Sequence, residues 1–211
     1  ADLYLVHSCA VTAHAGFETR RLLRIAARGN PQARIVVLGC DAQLDHERLR
    51  PLATHILGNR EKYDLPRHLE YPGSLGAPHV ARSDSRRFPP PPSLAVSRML
   101  EGRARAFLKV QDGCDAFCTY CVVPHTRGRS ASLPLPEVLA GMARLSGYAE
   151  VVLTGIHTGS WGRDLEPRQS LATLLSAVAG GSGGPRIRLS SLEPSDLTPE
   201  VLSLLPTLPR L

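Results

Sequence analysis

Two short apolar runs, Leu3–Val6 and Arg34–Leu38, flank a stretch with helical spacing, and this order constrains the N-terminal third of the chain more than any other feature. Runs of this length suit buried parallel strands. Between them, Gly16 to Arg28 sets Leu22, Leu23, Ile25 and Ala26 among arginines, and Gly29-Asn30-Pro31 stops the pattern as a helix stops. A strand–helix–strand unit of this kind is parallel and right-handed. Cys9 and Cys40 each stand just past the carboxyl end of one strand. In a parallel sheet those ends share one edge, so two thiols far apart in sequence can converge on one site.

The second half alternates in the same way. Ala106–Val110, Glu150–Leu153 and Arg186–Leu189 read as strands, the second ending in Thr154-Gly155. Pro136–Leu145, Ser170–Val178 and Thr198–Leu205 read as helices; the first opens on Pro, and the last is opened by Asp196, Thr198 and Pro199. A glycine-rich run at 180–184 stops the middle helix. Three β/α units without sheet-reversing hairpins indicate a parallel sheet or part of a barrel. The chain stops after a helix, where a further strand is expected. Between the halves, residues 71–103 hold Pro72-Gly73-Ser74, Arg86-Arg87 and Pro89–Pro92 with little periodicity, and read as a linker stiffened by polyproline. The organisation expected is α/β throughout: a domain over 1–70, the linker, and a second domain over 104–211.

Composition narrows the class. The 211 residues are 43% hydrophobic and 21% charged, enough for a packed core. No apolar run reaches the length of a membrane-spanning helix, and no leader pattern is visible at Ala1-Asp2-Leu3, which reads as a cut edge. The net charge of +6 is carried almost wholly by arginine, with only Lys62 and Lys109 as lysines. Arginine suits phosphate contacts, but charge alone does not identify a nucleic acid, and solvation is the default role of Arg82, Arg86 and Arg87. Five cysteines without a secretory leader point away from a disulfide framework and toward metal binding or catalysis.

Cys114, Cys118 and Cys121 form C-x3-C-x2-C in the loop after the Ala106–Val110 strand. Three thiolates on one short loop can hold three irons of a cubane cluster and leave the fourth open. A zinc site completed by His125 is the rival, and the spacing alone does not separate the two.

The surrounding residues do. Phe107-Leu108-Lys109-Val110-Gln111-Asp112-Gly113-Cys114 and its continuation through Pro124 strongly resemble the core of radical S-adenosylmethionine enzymes, specifically the methylthiotransferases. The resemblance continues through Arg127-Gly128-Arg129-Ser130, Val151 to Gly159 and Arg186 to Pro194. His7-Ser8-Cys9-Ala10-Val11-Thr12 and Val37 to Gln43 look like that family's second and third auxiliary-cluster cysteine motifs. Thr154-Gly155-Ile156-His157-Thr158-Gly159 and the Arg186–Glu193 segment are most similar to the branch acting on threonylcarbamoyladenosine in tRNA.

The resemblance implies an N-terminal Rossmann-like domain followed by part of a radical-SAM (β/α) barrel. It implies that Cys114, Cys118 and Cys121 bind a [4Fe–4S] cluster that cleaves S-adenosylmethionine to a radical, for attack on C2 of the modified adenine beside the anticodon. Cys9 and Cys40 would be two of three ligands to a second [4Fe–4S] cluster. Tyr120, Thr154, Gly155, Ser190 and Ser191 are candidates to contact S-adenosylmethionine, each with an ordinary packing, turn or capping role as its alternative. Arg127 and Arg129 are candidates for tRNA phosphates; His125 and His157 stand outside the catalytic set. The implied partners are tRNA and an electron donor such as flavodoxin or ferredoxin, in the cytoplasm.

His7 and Ser8 depart from the Asn-Thr usual before the equivalent of Cys9, and Asp41 stands where an aromatic residue is common. The first auxiliary cysteine, the rest of the barrel and the TRAM domain have no counterpart. The chain is therefore expected to be a fragment, inactive alone and unable to hold the auxiliary cluster in native form, with a sixth thiol upstream of Ala1. The alternatives are a methylthiotransferase acting on isopentenyladenosine tRNA or a ribosomal protein, and a zinc-binding nucleic-acid module.

Overall fold

The computed structural model describes residues 1–85, 96–97, 104–180 and 183–211, with 96–97 described by their backbone. Arg86, Arg87 and the Pro89–Pro92 run lie outside the described residues. The described residues group into two compact units: 1–85 with 115–129, and 96–97 with 104–114 and 130–211. The sequence boundaries differ, because they assign the whole cysteine loop to the second domain. Contacts group its Asp115–Arg129 part with the first unit instead.

Unit 1 runs β1 (Leu3–Ser8), α1 (Ala13–Gly29), β2 (Arg34–Gly39), α2 (Cys40–Leu44), α3 (His46–Leu49), β3 (His55–Leu57), α4 (Leu65–Leu69) and β4 (His79–Ala81), with α5 (Val123–Thr126) from the cysteine loop. The four strands form one parallel sheet in the order β1-β2-β3-β4. Thr12 caps α1 by accepting a hydrogen bond from the Ala15 N–H at 3.1 Å. The helix then buries Leu23 and Ala26 against Ile35 and Val37 of β2 and Ile56 of β3. Each fully buried leucine, isoleucine or valine among them contributes about 1.5–3 kcal/mol. On β1, Tyr4 and Val6 pack on this core while Leu3 and Leu5 stay exposed, the alternation of a strand covered on one face.

β4 lies inside the stretch that reads as linker. It has three residues, one of them a histidine, which is too little for any periodicity to register.

Unit 2 contains β5 (Val96–Ser97), β6 (Arg105–Lys109), β7 (Gln111–Asp112), β8 (Ala131–Ser132), α6 (Leu135–Arg144), β9 (Glu150–Thr154), α7 (Leu171–Ala179), β10 (Arg186–Leu189) and α8 (Pro199–Leu204). β6, β9 and β10 are parallel neighbours, and each is followed along the chain by a helix. Two antiparallel pairs, β5 on β6 and β7 on β8, add to the uninterrupted β/α pattern read from the sequence. Both involve two-residue strands, below the length at which alternation is readable. Ala106, Leu108, Val151, Leu153 and Ile187 from the strands meet Leu174, Leu175 and Val178 from α7 in one core. No helix among the described residues is long and apolar enough to cross a membrane.

Trp161 is fully buried in that core, and its indole N–H donates to the Leu133 carbonyl at 2.9 Å. Trp161→Ala should cost about 3–5 kcal/mol, read as a lower urea midpoint by circular dichroism. Trp161→Phe should cost less; equal stability of Trp161→Ala and the wild type would contradict this packing.

Unit 1 holds four histidines with depressed basicity. Burial is the main cause for His7, His46, His55 and His79 alike, and the His79 ring also faces His68 at 3.2 Å. Their folded pKa values lie below the unfolded 6.5, so the unfolded chain binds more protons near and below that pH. Stability should therefore be fully present above pH 6.5 and decline as the pH falls below it. Urea titrations at about pH 7.5 and about pH 5.5 should show a lower midpoint at the acid value, with a smaller drop in His79→Gln. A midpoint that rises on acidification would contradict the depressed basicity of these rings.

Candidate cysteine and strand-edge site

The register of unit 1 pairs Ser8 with Gly39, the last residues of β1 and β2. Cys9 follows β1 and Cys40 opens α2 directly after β2, so both stand at the carboxyl edge of the parallel sheet. Cys9 is exposed and Cys40 is buried. Ser8 fixes this corner, donating from its hydroxyl to the Leu38 carbonyl at 2.9 Å and accepting from the Ala42 N–H at 3.2 Å. One buried hydroxyl thus joins the end of β1 to β2 and to the first turn of α2. Gly39 makes the turn into α2 at φ +108°, and a Cβ there would stand 2.6 Å from the Ser8 carbonyl oxygen.

Charge around this edge is largely positive. Burial holds the His7 imidazole below its ordinary pKa, and Lys62 and Arg127 push the same way. Asp41 opposes the trend: burial raises its carboxyl pKa against the pull of Arg20, and its Oδ2 is buried with no hydrogen-bond partner.

The Asp115–Arg129 part of unit 1 carries Cys118, exposed, and Cys121, half-buried, joined by a turn in which the Cys121 N–H donates to the Cys118 carbonyl at 2.9 Å. Phe117 adopts the left-handed conformation at φ +47°. Tyr120 is 89% exposed, which removes core filling as its role. α5 follows directly, and the Ser85 hydroxyl donates to the His125 carbonyl at 2.8 Å.

In unit 2, Cys114 is buried and follows Gly113, whose N–H donates to Asp112 Oδ1 at 2.8 Å. Gln111 organises the strand ends. Its amide donates to the Asp112 and Gly113 carbonyls and to the Ser130 hydroxyl at 2.8–2.9 Å. Its Oε1 accepts from the N–H groups of Ile156 and His157, both at 3.0 Å. A Cβ on Gly155 would meet that same oxygen at 2.8 Å, so this position has no room for a side chain. Registers Lys109↔Thr154 and Leu153↔Leu189 bring the ends of β6, β9 and β10 to one edge, so Thr154, Gly155, Ser190 and Ser191 share it. The Ser190 hydroxyl donates to the Leu153 carbonyl at 3.1 Å, and Ser191 sits at φ +56° with its carbonyl accepting from the Thr158 N–H at 3.0 Å.

Sequence reasoning missed Gln111, Asn59 and Asp196. Asp196 is buried and faces His157 Nε2 at 2.8 Å and Arg163 at 3.2 Å, so the histidine is held by a carboxylate rather than left loose in the loop. None of the five cysteines is in a disulfide. Among the described residues no three His, Cys, Asp or Glu side chains are gathered at metal-binding geometry. The donor chemistry nevertheless fits an iron–sulfur group: thiols outside any disulfide, a side-chain N–H on the Cys40 sulfur, and the cationic Lys62 and Arg127 acting on His7 at this edge.

Residues 1–58 match the family described as Uncharacterized protein family UPF0004. The chain is 38% identical over 95% of its length to threonylcarbamoyladenosine tRNA methylthiotransferase MtaB of Chlamydia pneumoniae, covering 44% of that protein. It is 36% identical over its whole length to the protein of the same name from Thermotoga maritima, covering 48% of it. A tRNA-2-methylthio-N(6)-dimethylallyladenosine synthase of Desulfitobacterium hafniense is 33% identical over 96% of the chain, which covers 46% of that protein. The chain thus spans about half the length of the relatives it matches. Its sequence is similar over nearly the whole chain to MtaB-like methylthiotransferases.

Proposed function

We propose that this chain is the cluster- and cofactor-binding part of a tRNA methylthiotransferase that adds a methylthio group to C2 of threonylcarbamoyladenosine beside the anticodon. The observation that supports the reading is the Ser8↔Gly39 register, which ends β1 and β2 at one edge just before Cys9 and Cys40, in a chain similar over nearly its whole length to methylthiotransferases. Cys114, Cys118 and Cys121 would hold one [4Fe–4S] cluster, and Cys9 and Cys40 would contribute to a second. When bound, the first supplies the electron for reductive cleavage of S-adenosylmethionine.

The chain's own residues do the positioning. Ser8 fixes the Cys40 end of β2 through two hydrogen bonds. Gln111 joins the segment before Cys114 to the Thr154–His157 turn, so the edge that would receive S-adenosylmethionine is tied to the first cysteine of the motif. Thr154, Gly155, Ser190 and Ser191 offer hydroxyls and close backbone there, and exposed Tyr120 offers a ring face to an adenine. Arg127 and Arg129 suit the phosphates of tRNA. The electron donor would be of the flavodoxin or ferredoxin class, and the setting cytoplasmic.

The experiment is anaerobic purification with metal and sulfide analysis of the full-length gene product. A brown protein containing iron and sulfide, with absorbance reduced by Cys114→Ala, supports the reading; a colourless protein with stoichiometric zinc overturns it in favour of a zinc-binding nucleic-acid module. Mass spectrometry of tRNA nucleosides from a strain lacking the gene should show loss of the methylthiolated threonylcarbamoyladenosine. Loss of the isopentenyl nucleoside's methylthio group instead would reassign the substrate.

A further inference from the structure

Asn59 follows β3 at the same sheet edge as Cys9 and Cys40, and is 6% exposed. Its backbone N–H donates to Gln43 Oε1 in α2 at 3.1 Å. Its side chain has one permitted orientation. Lys62 Nζ, 2.9 Å away, has only hydrogens to offer, so Oδ1 must face it. Nδ2 then turns both hydrogens inward, one to the Thr126 carbonyl at 2.8 Å and one to the Cys40 sulfur at 3.4 Å. The carbonyl of Thr126 can only accept, which fixes the same orientation from the other side.

We propose that Asn59 is a positioning residue for the Cys9/Cys40 site: it directs the Cys40 sulfur and ties it to α5, the helix that begins two residues after Cys121. The inference rests on the assignment of Cys40 to an iron–sulfur group. A hydrogen bond donated to a coordinating thiolate withdraws electron density from sulfur, favours the reduced form and strengthens retention of the metal. Because the same amide is anchored on Thr126, the strength of that bond depends on where α5 stands. One side chain thereby links the Cys40 corner to the segment carrying Cys118 and Cys121. An asparagine side chain serving only to satisfy a backbone carbonyl would account for the bond to Thr126, but not for the second N–H toward sulfur.

The test uses the anaerobically reconstituted full-length gene product with Cys114, Cys118 and Cys121 replaced by alanine, so that only the Cys9/Cys40 group is loaded. Asn59→Ala and Asn59→Asp, the second of nearly equal size without the N–H, should release iron to a chelator about 10- to 100-fold faster. Both should also lower the midpoint potential in a redox titration followed by electron paramagnetic resonance. Should either variant fail to fold, pulsed resonance of the protein labelled with heavy nitrogen at asparagine side chains reads the contact directly. A hyperfine coupling to an asparagine amide is expected in the reduced state, and its absence overturns the inference. Variants that load iron, release it at the parent rate and keep the parent potential also overturn it while leaving the functional reading intact. A parent protein that takes up no iron at all removes the assignment of Cys9 and Cys40, and the inference with it.

Discussion

The parallel register of β1 and β2 governs the geometry of unit 1. Parallel strands place successive carboxyl ends on one side, and a shift of one residue would turn every side chain of β1 to the opposite face. Tyr4, Val6 and Ser8 would then leave the core side, and Ser8 would lose both of its hydrogen bonds. The hydrophobic alternation of β1 and the single hydroxyl of Ser8 therefore enforce the same register. The placement of Cys9 and Cys40 just past strands that end at one edge follows from it. Gly39 completes the corner, since only a residue without a Cβ fits beneath the Ser8 carbonyl in that conformation.

Unit 2 reaches a comparable edge by a different device. Its strand ends are aligned by backbone pairing, and Gln111 converts the alignment into a fixed constellation by using both ends of one amide. A buried amide satisfied this fully is rigid, because moving it would leave several polar groups unpaired at once. His157 gains its orientation similarly from Asp196, which in turn accepts from Arg163 and from the Glu193 N–H at 2.9 Å. Gly159 lies so close to the Asp196 carboxylate that a side chain there would displace it.

Much of this was legible in the sequence, and the limits have physical causes. β1, β2, β6, β9 and β10 each carry four or more residues of clear pattern, and their ends fall within two residues of those read. That Cys9 and Cys40 stand at one sheet edge followed from parallel topology alone. β3 and β4 escaped because three residues hold no measurable period. Asn59 and Gln111 escaped for another reason: their roles exist only across long sequence separations, such as Asn59 to Thr126. A polar residue after a short apolar run looks like an ordinary loop until the partner is brought to it. The grouping of Asp115–Arg129 with unit 1 is equally invisible, since the cysteine motif is continuous along the chain.

The histidines of depressed basicity carry a consequence for the electric field of unit 1. Rings held below their ordinary basicity stay neutral through the physiological range, so His7, His46, His55 and His79 add nothing to the surface potential there. The fixed positive charge of this unit is therefore carried by guanidinium groups, which do not titrate, together with Lys62. Any pull that such charge exerts on a polyanion weakens with added salt through screening and counterion release.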